Sequence, residues 1–164
     1  WSSDVCSSDL DGEGVETKPL MLVEAGELKS WLLDMRSATA LSLQTTGHAS
    51  RGMGGGPSPA STNLTLHAGT TSRDALIKSV KYGLLITETF GGGTNIVTGD
   101  YSQGASGLWI EKGQLAYPVA ELTIAGNLSE MFLHLTPAND LAWRYAINAP
   151  TVRIDGMTIA GAAA

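Results

Sequence analysis

The chain has 164 residues, of which 43% are hydrophobic and 16% are charged, with 20 glycines and a net charge of −6. This composition is too apolar for a disordered chain and too rich in glycine for a helical bundle, so it favours a β-rich fold with many tight turns. The negative charge and the lack of a basic patch argue against direct binding of nucleic acid.

Membrane and redox signals in the sequence point to the cytoplasm. No apolar run approaches the roughly 20 residues that cross a bilayer, and no basic segment precedes an apolar one as in a signal peptide. The single cysteine, Cys6, cannot form an internal disulfide, which fits a reducing compartment. We therefore expect a cytoplasmic protein without membrane contact.

The first ten residues, Trp-Ser-Ser-Asp-Val-Cys-Ser-Ser-Asp-Leu, have no periodicity and resemble translated sequencing-adapter sequence fused to an open reading frame. The alternative is an ordinary Ser/Asp-rich linker. In either case residues 1–10 are left out of the fold prediction, and residues 11–164 are treated as one domain. If the adapter interpretation is right, the N-terminal part of the protein is missing and Cys6 is not a natural residue.

The first half of the chain predicts short elements separated by turns, from alternating and helical spacing of apolar residues. In chain order these are a strand over 19–24, a turn at Ala25-Gly26, a strand over 27–33, a helix over 35–43, a loop over 44–62 and a strand over 63–68. The 44–62 loop is rich in glycine and proline, and long loops of this kind are usually functional or disordered.

The second half predicts the main helices and most of the sheet, with caps and turns as boundaries. The predicted elements are a helix capped by Thr71 and closed by Gly83, a strand over 84–90 ended by Gly91-Gly92-Gly93, a hairpin over 95–101 and 105–111 with Ser102-Gln103-Gly104 as a turn, a turn at Lys112-Gly113, strands over 114–119 and 121–125, a helix capped by Asn127, and strands over 151–154 and 157–160. This order predicts an α+β fold, β-rich, with a mostly antiparallel bent sheet or barrel and two main helices packed on it.

Local patterns assign no catalytic residue and no metal ligand. His48, His67 and His134 are far apart and form no His-Glu-x-x-His pair, which would place two imidazoles on one helix face around zinc. Ser102 lies in no nucleophile elbow. Asp100 is expected to stabilise its own turn rather than to pair with another carboxylate.

Nine short blocks, taken in order, resemble the C-terminal half of the TldD/PmbA peptidase family. They lie at 13–15 with 26–28, 46–49, 57–59 with 62–64, 83–84 with 87–88, 99–105, 118–121 with 124–128, 139–140, 149–150 and 157–161. Together they span nearly all of residues 11–161, and their order and spacing identify the chain as a member of this family. Gly-Asp-Tyr-Ser followed by Ile-Ala-Gly-Asn is similar to PmbA (TldE) subunits rather than to TldD subunits.

The resemblance implies a heteromeric complex with a TldD-like subunit, a zinc metallopeptidase that cleaves unfolded or extended peptides inside a closed cavity. In TldD-type subunits, two histidines of an upstream His-Glu-x-x-x-His motif and a cysteine near the C-terminus hold the zinc. Residues 139–150 contain no counterpart of that cysteine, which indicates a subunit without a metal cofactor. The zinc is then expected in the partner, and this chain is expected to supply scaffold for the cavity.

On this hypothesis an extended peptide adds to an exposed strand edge such as residues 84–90. The residues expected to line the peptide groove are His48, Arg51, Asn63, Gly91, Gly92, Gly93, Asp100, Ser102 and Asn127. For His48 and Arg51, which lie in the glycine-rich loop, the alternative role is hydrogen bonding to loop carbonyls.

Two other functions remain open from the sequence. The intact subunit is a catalytic TldD-type metallopeptidase if its zinc motif lies upstream of this fragment. Alternatively, the chain is a non-enzymatic binding or regulatory module of the DNA gyrase modulator type. In every case we expect the isolated fragment to lack peptidase activity and to expose apolar surface that makes it poorly soluble.

Overall fold

The computed structural model describes residues 2–3 and 10–161. Trp1, residues 4–9 with Cys6, and residues 162–164 lie outside the described residues, so the prediction of an adapter-derived segment falls largely on residues without a described structure. The chain divides into two compact units. The first comprises Trp1–His67 with Leu141–Pro150, and the second comprises Ala68–Asp140 with Thr151–Ala164.

In chain order, short strands interrupted by two helices are followed by three long strands, a third helix and further short strands. They are β1 (Ser2–Ser3), β2 (Leu20–Met21), β3 (Val23–Glu24), β4 (Glu27–Leu28), α1 (Met35–Ala40), β5 (Ala49–Ser50), β6 (Ser58–Pro59), β7 (Leu64–Thr65), α2 (Arg73–Ser79), β8 (Tyr82–Thr94), β9 (Asp100–Glu111), β10 (Gln114–Asn127), α3 (Leu128–Leu133), β11 (Leu135–Pro137), β12 (Ile147–Asn148), β13 (Val152–Ile154) and β14 (Thr158–Ala160).

The first unit is built from very short strands. Four of them form a sheet in the order β12-β7-β1-β2, while β3 pairs with β4 and β5 pairs with β6. The predicted Ala25-Gly26 turn is confirmed, and both residues have positive φ, 51° and 84°, as a tight hairpin turn requires. The predicted strand over 27–33 is too long, because it ends at Leu28. The 44–62 loop contains the β5–β6 hairpin, which the sequence did not predict.

The second unit is dominated by an antiparallel sheet in the order β14-β10-β9-β8. Register shifts in β8 and β10 mark β-bulges, which bend strands and increase their twist. Helices α2 and α3 both contact β10. The predicted β-rich, mostly antiparallel α+β fold is therefore confirmed. Within the described chain the sheet is open, with β8 and β14 at its edges, so the barrel alternative is not formed.

The boundaries predicted for the first main helix were wrong at both ends. Ser72, not Thr71, is the N-cap: its backbone is extended, and its hydroxyl oxygen accepts the N–H of Ala75 at 3.2 Å. Helix α2 ends at Ser79, and Gly83 belongs to β8 rather than to the helix terminus. The capping prediction for the other main helix is confirmed, because the Asn127 side chain accepts the N–H of Ser129.

The glycine triplet does not end its strand, as the sequence predicted. Strand β8 continues through it to Thr94, since Gly91 and Gly92 adopt φ of 57° and 69° and let the strand bulge without leaving the ladder. Residues 102–104, predicted as a turn, lie within β9. The reversal between β8 and β9 is instead made by residues 95–99.

Candidate functional site

The second unit contains a mostly apolar cleft of about 620 Å³, here called the α2–β8 cleft. Its buried floor consists of Leu76, Ile110 and Ile124, which are 7%, 4% and 3% exposed. Its walls come from one face of α2, the first half of β8, and β13 and β14. The remaining apolar lining residues are Ile77, Val80, Leu84, Leu85, Ile86, Val152, Ile154, Met157 and Ile159.

The cleft is open to solvent and is not an enclosed void. Its volume of about 620 Å³ lies within the range of roughly 300–1,000 Å³ that is typical of ligand-binding pockets. Its apolar lining is therefore accessible to an apolar group of a ligand.

Charged residues stand at the mouth of the α2–β8 cleft. The Nε and Nη2 atoms of Arg153 each lie 2.9 Å from Oδ1 of Asp155, and its Nη1 donates to the hydroxyl of Ser79 at 2.7 Å. Arg73 also lines the cleft, but it has no carboxylate within 4.0 Å among the described residues. Arg73 helps to lower the pKa of Asp140 from a longer distance, but its guanidinium is not held in a close ion pair as that of Arg153 is.

A second, polar pocket of about 360 Å³ lies in the first unit and contains His48 and Arg51. His48 is 6% exposed, and its Nδ1 lies 2.7 Å from the carbonyl oxygen of Thr46. A carbonyl oxygen can only accept, so Nδ1 carries the hydrogen and Nε2 is an acceptor in the neutral ring. The exposed Arg51 contributes a cation to the same pocket.

Asp11 also lines the His48 pocket and fixes its backbone. Its carboxylate accepts the N–H groups of Glu13 and Val15 at 2.9 Å and of Ala49 at 3.0 Å. Burial raises the pKa of Asp11, but these backbone hydrogen bonds outweigh burial and hold the pKa below its usual value. The carboxylate is thus ionised and is occupied by the chain itself.

The 95–99 turn joins β8 to β9 beside a shallow groove lined by Gly93, Asp100 and Ser102. The hydroxyl of Thr98 donates to Asp100 at 2.6 Å, so Asp100 stabilises the turn that leads into its strand. The Asn127 side chain donates to the carbonyl of Thr98 at 3.0 Å. The Gly-Asp and Asn parts of the sequence motif therefore meet in space and hold one turn.

The structure places the nine predicted groove residues in separate locations. His48 and Arg51 share the polar pocket of the first unit, and Asn63 belongs to the same unit without lining that pocket. The other six lie in the second unit, in β8, in β9 and at the N-terminus of α3. These are Gly91, Gly92, Gly93, Asp100, Ser102 and Asn127.

The α2–β8 cleft was missed by sequence reasoning. The apolar face of α2 was recognised from Leu76 and Val80, but such a face ordinarily packs against a sheet and leaves no opening. No pattern in the sequence signals that Ile86 and Val152 remain 38% and 36% exposed beside it.

A zinc site requires three or four converging ligands, usually from His, Cys, Asp or Glu. Within residues 10–161, no group of three or more such side chains is placed to hold a metal ion. The donors present in the described residues therefore do not fit zinc. Among the described helices, none is long and apolar enough to cross a membrane.

The family model described as "PmbA/TldA metallopeptidase C-terminal domain" matches residues 3–161. The metalloprotease PmbA homolog of Haemophilus influenzae is 41% identical over 158 residues, covering 96% of this chain and 33% of that protein. The metalloprotease TldD homolog of the same organism is 27% identical over 172 residues, covering 94% of this chain and 36% of that protein. The chain thus spans about a third of the length of these curated relatives.

Among solved structures, TldE from Thermococcus kodakarensis is similar to this chain with a TM-score of 0.86 at 22% identity. The similarity covers 98% of this chain and 39% of that one. At this level of identity the likeness concerns the fold.

Proposed function

The chain belongs to the TldD/PmbA metallopeptidase family, and we propose that it is the C-terminal domain of a PmbA (TldE)-type subunit in a cytoplasmic peptidase complex. Its 41% identity to the PmbA homolog of Haemophilus influenzae, against 27% to the TldD homolog, supports the PmbA type. The proposed partner is a TldD-like subunit that holds the zinc and carries out peptide hydrolysis.

The proposed role of this chain is to hold extended peptide within the complex, and the open edge of β8 is the observation that carries this role. Strand β8 has 13 residues and pairs with β9 on one side, at the end of the sheet order. An edge strand presents unpaired backbone N–H and C=O groups, onto which an extended chain can add.

The outer side of β10 provides a useful contrast within the same sheet. Beyond its short pairing with β14 at Thr123–Ala125, this strand contains Pro118, which cannot donate a backbone hydrogen bond, and two register shifts. Natural proteins use prolines and bulges to protect edges from pairing. Strand β8 also has two register shifts, but it contains no proline and only one charged residue, Glu88, so every residue of its edge keeps a backbone N–H for another strand.

We propose different roles for the residues predicted to line the groove. Gly91, Gly92 and Gly93 allow close approach of a peptide backbone to the end of β8. Asp100 and Asn127 support the 95–99 turn beside that end. Ser102 is proposed to offer a polar contact to peptide at that end of β8. His48, Arg51 and Asn63 belong to the first unit, and their predicted peptide contacts are proposed separately from the β8 edge.

Hydrogen exchange on the full-length protein tests peptide addition to β8. An extended peptide should slow exchange of amides in residues 82–94, since an added strand protects the outward N–H groups. The matched control is the same peptide N-methylated at alternate amides, which keeps every side chain but cannot form the ladder. Equal protection by both peptides, or protection that spares β8, would contradict strand addition.

Copurification tests the proposed complex. Full-length protein coexpressed with a TldD-like subunit should elute with it as one species. The complex should contain zinc, whereas the separated PmbA-type subunit should contain less than roughly a tenth of a zinc ion per chain. One tightly held zinc per separated chain would instead favour the catalytic TldD-type alternative. Failure to copurify would remove the heteromeric assembly.

A further inference from the structure

The α2–β8 cleft lies directly beside the strand edge proposed to receive peptide. Residues 82–87 of β8 line the cleft and also form the first half of the open edge. Side chains of an added strand alternate between the two faces of the sheet, so every second side chain lies on the face that carries α2. A peptide at this edge therefore has side chains within reach of an apolar cleft.

The chemistry of the cleft selects what can enter it. Most of its side chains are aliphatic, with Leu76, Ile110 and Ile124 as a buried floor, and its polar residues include Arg73, Arg153 and Asp155. Aliphatic side chains gain from leaving water at such a surface, whereas polar ones lose hydrogen bonds.

The charged residues at the cleft mouth favour a peptide that carries a carboxylate near the cleft. The chain as a whole has a net charge of −6, yet the charged residues that line the cleft are two arginines, Arg73 and Arg153, and one carboxylate, Asp155. Arg153 at the mouth is already paired with Asp155, while Arg73 makes no ion pair within 4.0 Å among the described residues and interacts with Asp140 only at longer range. A carboxylate of the bound peptide is the complementary partner of Arg73.

We propose that the α2–β8 cleft is a specificity pocket for an extended peptide on β8. It binds an aliphatic side chain of that peptide, and Arg73 binds a carboxylate of the same peptide. This inference rests on the proposed peptide-holding function and adds a preference that strand addition alone does not produce, because backbone hydrogen bonds do not distinguish side chains.

The test is peptide affinity measured by fluorescence polarisation with the full-length protein. Three labelled eight-residue peptides are compared: threonine alternating with leucine and a free C-terminal carboxylate, the same peptide with serine in place of leucine, and the leucine peptide with a C-terminal amide. The leucine peptide should bind about tenfold more tightly than the serine peptide. The amide should bind about threefold more weakly than the free acid.

Variants assign these preferences to the cleft. Ile86→Thr, which keeps a β-branched side chain in the strand, should reduce the preference for leucine. Ile147→Thr makes the same change at an exposed isoleucine that does not line the cleft, and it should leave that preference intact. Arg73→Gln changes an exposed side chain of α2 and should abolish the difference in affinity between the free-acid and the amidated leucine peptide. This second variant keeps the test decisive even if Ile86→Thr does not fold.

The outcomes separate this inference from the proposed function. Equal affinity for the leucine and serine peptides would overturn the specificity pocket and leave strand addition standing. Absence of binding by all three peptides would overturn both. If Ile86→Thr dissociated a dimer of the protein without changing peptide affinity, a second copy would be the occupant of the cleft and the inference would be wrong.

Discussion

Gly91 and Gly92 form a matched pair for testing the bulge at the end of β8. Both have positive φ, 57° and 69°, so alanine is disfavoured at either position by backbone conformation alone. They differ in the space around them. A Cβ at Gly92 would overlap the carbonyl oxygen of Ser102 and lie 2.7 Å from the Cα of Gln103, whereas a Cβ at Gly91 meets no heavy atom within 4 Å.

The difference in space predicts different losses of stability. Gly91→Ala should lower the free energy of unfolding by about 1 kcal/mol, the cost of a left-handed conformation for a residue with a Cβ. Gly92→Ala incurs the same cost and must also push β8 away from β9, where Gly93 pairs with Ser102 and Phe90 with Gly104. Losing two or three ladder hydrogen bonds at about 1 kcal/mol each brings the total to roughly 3–4 kcal/mol.

Urea unfolding followed by tryptophan fluorescence measures this difference, since Trp109 lies in β9 and is partly buried. The two variants should share the slope of the wild-type transition and differ in midpoint. If their stabilities agreed within about 0.5 kcal/mol, the close approach of Gly92 to β9 would be refuted. Such a result would also remove the reason why the strand continues through the glycine triplet.

Three further changes probe the caps and buried polar groups, all by urea midpoint. Ser72→Ala should cost about 1 kcal/mol by removing the N-cap of α2, while Thr71→Ala, the cap expected from sequence, should cost only a few tenths; equal losses would contradict the assignment. Thr65→Val should stabilise the protein by about 1 kcal/mol, because the fully buried Thr65 hydroxyl has no hydrogen-bond partner among the described residues, and a loss of stability would show that it has one. The side chain and backbone N–H of Thr151 donate to Asp140 and hold its pKa below the usual 3.8. The contribution of Asp140 is therefore full above about pH 5 and is lost as pH falls through the lowered pKa. Asp140→Asn should be less stable than wild type at pH 6, and the difference should shrink as pH falls below 3.8; a pH-independent difference would contradict this assignment.

The candidate site shows how far local sequence signals extend. The polar pocket was anticipated in part, because His48 and Arg51 stand close together in a glycine-rich loop. The partner that fixes the backbone around them, Asp11, lies 38 residues before Ala49, whose N–H it accepts, and nothing in its local sequence indicates that role. Likewise, Asn127 was recognised as a helix cap, but its second contact with Thr98 depends on how β9 and β10 pair.

The sequence by itself determined the features whose causes lie within a few residues. The Ala25-Gly26 and Lys112-Gly113 turns, the Asn127 cap and the β-rich, antiparallel class follow from glycine positions, capping side chains and alternation, and each is present in the structure. Similar local blocks, repeated in order along the chain, also identified the family.

Only the tertiary structure determined where β8 ends, which strand edge is open and where the α2–β8 cleft lies. Gly91-Gly92 would end a strand in most contexts, yet pairing with β9 carries β8 through them to Thr94. The open edge of β8 and the α2–β8 cleft depend on strand order and on contacts between residues far apart in the chain. The physical reason is that pairing register and unfilled volume belong to the assembled sheet, and the free energy that fixes them is shared among distant residues.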